Sequence, residues 1–372
     1  MRLSNNQKAF FALLRAGLWE QEVRLLPFGR VDYEEVLNLA EDQSINGLIT
    51  AGLEHVVDTK VPTNEALQFV GQTLQLVQQN QAMNYFIGIL LDKMGSAGIY
   101  TVLVKGQGIA QCYERPLWRA CGDVDLLLSV ENYQKAIQYL TPLASKVEEE
   151  HVYDQHLAMT IETWTVELHG TLRSRLWKRN DHTVDEIQAD VLDGGKVRTW
   201  MTGGTTVFLP RADEDVVFVF NHILQHFFKE GIGLRQICDW CRLLWTYRES
   251  IDRGLLKTRL KEMGVLSEWK AFAALAVDYL GMPSYALPFY SDARIWRRKA
   301  YRIIIFIIET GSFGHNRDYS FYDKYPYLIF KLISLWRHTI DAYSYCRIFP
   351  LDSIKLWMQM IYRGIGQVTK GV

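Results

Sequence analysis

The sequence predicts an α+β fold in which a small mixed β-sheet core is flanked by helical regions at both ends of the chain. Apolar residues recur at helical spacing up to residue 98, and short β-prone runs concentrate between residues 99 and 210. Helical spacing returns from Asp213 onward. These changes of pattern divide the 372 residues into predicted regions 1–98, 99–210 and 211–372.

The N-terminal region is predicted to be helical, with its longest helix over residues 64–94. Glutamines, which favour helices, are frequent there, and no proline interrupts the stretch. One stripe of this helix is apolar and carries Leu67, Val70, Leu74 and Val77. We expect the helix to end near Gly95.

The middle region carries the predicted sheet. The runs that we expect to form strands are residues 101–104, 123–128, 156–161, 163–168 and 205–209. Residues 132–143 have helical spacing between the second and third strands. Together these elements predict one small mixed sheet.

The C-terminal region is predicted to be helical, with amphipathic helices over residues 267–280 and 324–340. Basic residues cluster ahead of an aromatic-rich stretch, at Arg294, Arg297, Arg298, Lys299 and Arg302. A solvated helix face explains such a cluster, and a peripheral membrane surface or an acidic protein partner is the alternative.

Composition limits the classes of protein that fit. Lys and Arg number 41 against 42 Asp and Glu, so no basic excess indicates a nucleic-acid partner. Five scattered cysteines suggest no disulfide framework, which favours a reducing compartment. The N-terminus has no long apolar signal-peptide core, and the apolar run at 303–308 is too short to span a bilayer. We therefore expect a cytoplasmic protein.

Two aspartates at 123 and 125 form the most informative motif, within the strand-like run 121–128. Because strand side chains alternate between faces, Asp123 and Asp125 share one face and Val124 lies on the other. Neighbouring carboxylates repel each other, and a divalent cation relieves that repulsion. Aspartate oxygens suit Mg²⁺, which commonly shares its ligands with substrate phosphates.

A third acid, Glu167, lies on the predicted strand at 163–168. Alternation places its side chain on the face opposite to Val166 and Leu168. Three carboxylates from neighbouring strands can hold two metals about 4 Å apart, as in-line phosphoryl transfer requires. Upstream, Lys105, Gly106 and Gln107 follow a short strand and open a helix, where backbone N–H groups suit phosphate.

Five short motifs follow one another along the chain, namely Lys105-Gly106, Tyr113, Arg119, residues 122–127 and residues 166–169. In this order they resemble the uncharacterised bacterial nucleotidyltransferase family of the polymerase-β-like superfamily. Residues 226–240 resemble that family's helical continuation, and the likeness covers about residues 80–250. The resemblance implies a nucleotidyltransferase core that uses Mg²⁺ or Mn²⁺ and a nucleoside triphosphate. Asp123, Asp125 and Glu167 would then be metal ligands and catalytic residues.

One departure from the superfamily concerns the phosphate turn. Its members usually have Gly-Gly or Gly-Ser there, whereas Gly106 is followed by Gln107 in this chain. We therefore expect the nucleotide site to consist of Lys105, Gly106, Gln107 and Arg119, with the phosphate contact shifted toward Lys105 or Arg119. The resemblance does not fix the acceptor, which is expected to be a small molecule, a sugar or a protein.

An acceptor pocket is predicted downstream of the strands. His222 and His226 are four residues apart and so share one helix face. We assign them to the pocket lining together with His169, Arg235 and Asp239. No H-E-x-x-H pattern accompanies the histidines, so a zinc role for them is the lesser alternative.

Two other functions remain open on the sequence. A D-x-D pair also binds metal and sugar nucleotides in glycosyltransferases, although the glycine turn and Glu167 favour nucleotidyl transfer. A catalytically inactive nucleotide-binding or scaffolding protein is the other alternative. Retention of all three acids opposes it, and Gln107 leaves it open.

Overall fold

The structure, a computed structural model, describes residues 3–229, 231–311 and 345–359, together with six positions from 333 to 343. It has the predicted α+β class, with helices on both sides of a mixed sheet along the chain. The division into three separate regions stays a prediction.

Four helices precede the sheet, namely α1 (Asn5–Trp19), α2 (Tyr33–Asp42), α3 (Asn46–Glu54) and α4 (Thr63–Ser96). Ser4 begins α1 with a capping box, because its hydroxyl accepts from the Gln7 backbone while the Gln7 side chain accepts from the Ser4 backbone. Gly17 lets α1 and α3 approach closely, since a Cβ there would lie 1.8 Å from the Leu48 carbonyl oxygen.

The predicted long helix is confirmed as α4, which runs unbroken for 34 residues. Its apolar stripe is largely exposed, with Leu67 at 64% and Leu74 at 58% of full exposure. A different face packs inward, and it carries Phe69, Asn80, Met83 and Ile87. This inward face includes a polar residue, because Asn80 donates hydrogen bonds there to the backbone carbonyls of Leu117 and Arg119.

Five strands form the main sheet, in the order β1-β2-β5-β4-β3. The strands are β1 (Val102–Val104), β2 (Asp123–Leu127), β3 (Ala144–Val147), β4 (His156–Ile161) and β5 (Trp164–His169). β2 and β5 are parallel, and the other neighbouring pairs are antiparallel. The sheet is therefore mixed, as predicted.

Two further strands, β6 (Val197–Thr202) and β7 (Thr205–Pro210), form a separate antiparallel hairpin. The predicted strand at 205–209 exists as β7, but its place in the mixed sheet was wrong, because β7 pairs with β6 and packs against α4 and β1. The helices of this part of the chain are α5 (Gly106–Ala110), α6 (Val130–Leu140) and α7 (Lys178–Leu192). Strands β3 and β6 and helix α7 were not predicted.

The chain continues as α8 (Ala212–Lys229), α9 (Leu234–Thr246), α10 (Arg253–Met263), α11 (Leu266–Asp278) and α12 (Arg294–Thr310). The predicted helix at 267–280 is confirmed as α11, while most of the predicted helix at 324–340 lies outside the described residues. The basic cluster begins α12, and Arg297 donates to Asp278 at 2.9 Å. Among the described residues, no helix combines the length and apolarity needed to cross a membrane.

Two apolar cores hold these elements. The smaller lies between α4, α6 and one face of the sheet, where Val124, Leu126, Val166 and Leu168 are fully buried. The larger joins α1 and α2 to α8, α9, α11 and α12. Since these four residues face the smaller core, the acids at alternate positions of the same strands face the opposite side, as alternation predicts.

Candidate active site

Three carboxylates meet on one face of β2 and β5. The two strands are parallel neighbours, and their register places Asp125 beside Glu167 and Asp123 beside Thr165. Oxygen atoms of Asp123, Asp125 and Glu167 all lie within 4.8 Å of one another. Residues at alternate positions of paired strands thus form a compact set of oxygen donors, which fits a divalent cation.

The two aspartates of this cluster have pKa values that are shifted in opposite directions. Repulsion from Asp125, followed by burial, raises the pKa of Asp123 above its usual value. The pKa of Asp125 is lowered, because Lys105 and a hydrogen bond from His169 outweigh the burial that acts in the other direction. A cation bound between the acids would remove the repulsion that Asp123 experiences.

Lys105 supplies the nearest positive charge. It follows β1 in the turn before α5. Its backbone has a φ of +58°, a conformation that residues other than glycine rarely adopt. From there its ammonium reaches Asp125, with Nζ 2.8 Å from Oδ1. The turn therefore places the ammonium of Lys105 in contact with the acid cluster.

Two histidines contact the same acids. His156 Nε2 lies 3.2 Å from Glu167 Oε2, and His169 Nε2 lies 2.7 Å from Asp125 Oδ1. Hydrogen bonds from both rings hold the pKa of Glu167 well below its usual range, against the effect of burial. Burial and Lys105 oppose protonation of His169, yet its hydrogen bonds to Asp125 and Glu167 raise its pKa.

A cavity of about 490 Å³ opens beside the acid cluster. Its lining includes Glu167 and three of the predicted pocket residues, His169, His222 and His226. His222 and His226 contact each other on α8, with ring centroids 4.2 Å apart. Burial, followed by Lys105, lowers the pKa of His222 well below its usual value, which favours a neutral ring.

The structure does not place Arg119, Arg235 or Asp239 on the wall of this cavity. Arg119 and Asp239 instead form a buried pair, with Nη2 2.6 Å from Oδ2 and Nε 3.0 Å from Oδ1. Arg235 donates to the Ala120 carbonyl at 2.9 Å. We therefore leave Arg119 and Asp239 out of the proposed nucleotide and acceptor sites, because their charged groups hold α9 to the segment before β2. Arg235 stays a candidate, since its buried Nε has no hydrogen-bond partner among the described residues.

The predicted phosphate turn is present, but the Gln107 side chain points away from it. Gln107 is 1% exposed, and its Nε2 donates to Asn80 Oδ1 at 2.7 Å. Its amide thus joins α5 to α4 in the interior. Lys105 and the backbone of the turn are what this segment presents to the acid cluster.

The sequence reasoning missed His156 and the cations Arg173, Arg175 and Lys229, which also line the cavity. His156 begins β4, and its position opposite His169 follows from the β4–β5 register. Recognising a hairpin between the strands at 156–161 and 163–168 would have placed the two histidines together.

Three clustered acids beside a cavity lined by several cations form an arrangement that could hold a divalent metal close to a phosphate. A family model described as an uncharacterised nucleotidyltransferase matches residues 29–281, about two thirds of the chain. The chain belongs to this family, and the coarse assignment to nucleotidyl transfer is thereby confirmed. No curated protein and no solved structure matches the chain.

Proposed function

We propose that the chain transfers a nucleoside monophosphate from a nucleoside triphosphate to a hydroxyl acceptor and releases pyrophosphate. The observation that carries the proposal is the meeting of Asp123, Asp125 and Glu167 on paired parallel strands. Membership of a nucleotidyltransferase family supports it. All three acids come from the middle region, residues 99–210, which we propose as the catalytic core.

Mg²⁺ or Mn²⁺ is the cation that this donor set fits best, because both favour carboxylate oxygens. Asp123, Asp125 and Glu167 would hold it. A bound divalent cation lowers the pKa of an acceptor hydroxyl and offsets the charge of leaving pyrophosphate. The repulsion that raises the pKa of Asp123 is the physical reason to expect such binding.

In the proposed reaction, an acceptor oxygen bonds to the α-phosphorus as the bond from that phosphorus to pyrophosphate breaks, and the hydroxyl proton passes to solvent water. Lys105 offers positive charge to the triphosphate, and the N–H groups of the turn from Gly106 offer hydrogen bonds. His222 and His226 line the cavity, which we propose as the acceptor pocket.

Isotopic labelling of the triphosphate tests this reaction class. Each of the four common triphosphates, labelled at the α- or the γ-phosphate, is incubated with the protein, Mg²⁺ or Mn²⁺ and acceptor mixtures of small molecules, sugars or proteins. We expect α-label on an acceptor and γ-label in pyrophosphate. Transfer of γ-label to the acceptor would contradict the proposal.

The same experiment separates the alternatives. Metal-dependent binding of a triphosphate without label transfer to any acceptor class would favour an inactive nucleotide-binding protein and overturn the proposal. Binding and consumption of a nucleotide sugar, with no binding of triphosphates, would favour a glycosyltransferase.

A further inference from the structure

The geometry points to a second metal site beside the three acids, formed by His156, Glu167 and His169. We propose that it binds a divalent cation that favours nitrogen ligands, such as Zn²⁺, in preference to Mg²⁺. Its use in catalysis rests on the proposed function, whereas its cation binding does not. Glu167 belongs to both sites.

The sheet itself brings these three ligands together. β4 and β5 are antiparallel, and His156 stands directly opposite His169 in their register. Glu167 is two residues before His169 on β5, so both side chains project from the same face. Two paired strands thus fix all three residues, which gives a rigid ligand set.

The distances suit metal coordination. His156 Nε2 and His169 Nε2 lie 3.2 Å and 3.4 Å from one atom, Glu167 Oε2. The three ligand atoms all lie within 4.8 Å of one another. Around a tetrahedral Zn²⁺ with bonds of about 2.0–2.2 Å, adjacent ligand atoms are about 3.4 Å apart. Little rearrangement would therefore be needed to place these atoms around one ion.

The ligand types decide which cation is expected. Imidazole nitrogen suits Zn²⁺ and Co²⁺, whereas Mg²⁺ and Mn²⁺ prefer oxygen. Two histidines and one glutamate are also the ligands of catalytic zinc sites that keep a fourth position open. All three residues line the cavity of about 490 Å³, so a fourth ligand from solvent or substrate has room to bind.

The charges of Asp125 and Lys105, next to His169, also affect metal binding at this site. Asp125 Oδ1 is 2.7 Å from His169 Nε2, and the same oxygen lies 2.8 Å from Lys105 Nζ. A metal ion on His169 Nε2 would therefore replace the hydrogen bond to Asp125, while Lys105 would still balance the charge of Asp125 and Glu167 would be the anionic ligand. A simpler role, in which the histidines only position Glu167, predicts no preference for Zn²⁺ and is what the experiment must exclude.

Cobalt spectroscopy on the full-length, tag-free protein tests the site. We expect one Co²⁺ per chain with visible ligand-field absorption, displaced by Zn²⁺ and retained in excess Mg²⁺. His156→Ala should lower Zn²⁺ affinity by at least about 100-fold, because loss even of a residue outside the ligand set costs 10–100-fold. His182→Gln, at an exposed position on α7, is the matched control and should bind as the wild type does.

A second variant guards against misfolding. His156→Gln keeps a hydrogen-bond donor toward Glu167 but removes the imidazole, and it should also lose the cobalt absorption. The inference is overturned if the wild type shows no such absorption, if Mg²⁺ displaces Co²⁺ as readily as Zn²⁺ does, or if folded His156→Gln binds Zn²⁺ normally.

The two proposals fail in different ways. Asp123→Asn should abolish nucleotidyl transfer and keep the cobalt absorption, because Asp123 is outside the histidine site. Wild-type protein that shows the cobalt absorption but transfers no α-label to any acceptor would overturn the proposed function alone. Wild-type protein without cobalt absorption that still transfers the nucleotide would overturn the second metal site alone.

Discussion

The ammonium of Lys105 lies 2.8 Å from a carboxylate oxygen of Asp125, across the antiparallel pair of β1 and β2. Asp125 is 3% exposed, so this contact balances a buried negative charge. Any cation that binds Asp125 must share the carboxylate with this ammonium. The contact therefore links the stability of the fold to the binding of a metal.

Lys105→Met should destabilise the protein by about 3 kcal/mol, because removing one partner leaves a buried charge with less compensation. Added Mg²⁺ should restore more stability to this variant than to the wild type. Urea unfolding with and without Mg²⁺ measures both effects. Lys135→Met, on the exposed face of α6, is the control, and equal unfolding of Lys105→Met and wild type would contradict the prediction.

The buried pair of Arg119 and Asp239 should be structural. Asp239→Asn leaves the Arg119 guanidinium without its counter-charge and should cost about 3–5 kcal/mol in the free energy of unfolding. The double variant Arg119→Met, Asp239→Leu should recover part of that loss, since it removes both charges of the pair together. Urea unfolding of the single and double variants measures this, and a stable Asp239→Asn would show that the pair contributes little.

Gln107→Ser introduces the residue that the superfamily often has in its phosphate turn. We expect no gain in nucleotidyl transfer, because the position 107 side chain faces Asn80 in the interior. The variant should lose about 1–3 kcal/mol of stability, since a buried hydrogen bond disappears. Steady-state rates and urea unfolding test both parts, and a faster, equally stable variant would show that position 107 faces the substrate.

Glu268 should make stability depend on pH. Burial, followed by the nearby Asp352, raises the pKa of Glu268 to about 8 from 4.5. Because the folded state holds this proton more tightly than the unfolded chain, stability should fall as pH rises from about 4.5 to about 8. Glu268→Gln removes this titration.

Thermal unfolding at pH 5 and pH 8 measures the effect. Glu268→Gln should unfold at a higher temperature than the wild type at pH 8. The corresponding difference in the free energy of unfolding should be about 4 kcal/mol and should shrink toward pH 5. Glu262→Gln, an exposed change on α10, should match the wild type at both pH values. A difference that is the same at both pH values would contradict the assignment.

Local alternation was enough to predict β2, β5 and the shared face of Asp123 and Asp125. The parallel pairing of these strands was not encoded locally, yet the phase of Glu167 predicted its side correctly. Strand β3 escaped prediction because its residues are mostly exposed and have no apolar alternation.

Long-range partners explain what the sequence could not show. Arg119 and Asp239 are 120 residues apart, and each has the residue type expected at a substrate site, so only the fold reveals that they bind each other. Leu67 and Leu74 have the spacing of a buried stripe, but α4 presents another face to the interior. His156 becomes a candidate ligand only through its register with His169.

The rate of α-label transfer by Asp123→Asn is the most direct measurement of nucleotidyl transfer at the three acids. With Mg²⁺ or Mn²⁺, we expect a rate at least about 100-fold below that of the wild type, as for loss of one preorganised electrostatic group. Glu131→Gln, on exposed α6, should transfer at the wild-type rate. Wild-type transfer by Asp123→Asn, with the same metal dependence, would contradict the assignment of these acids.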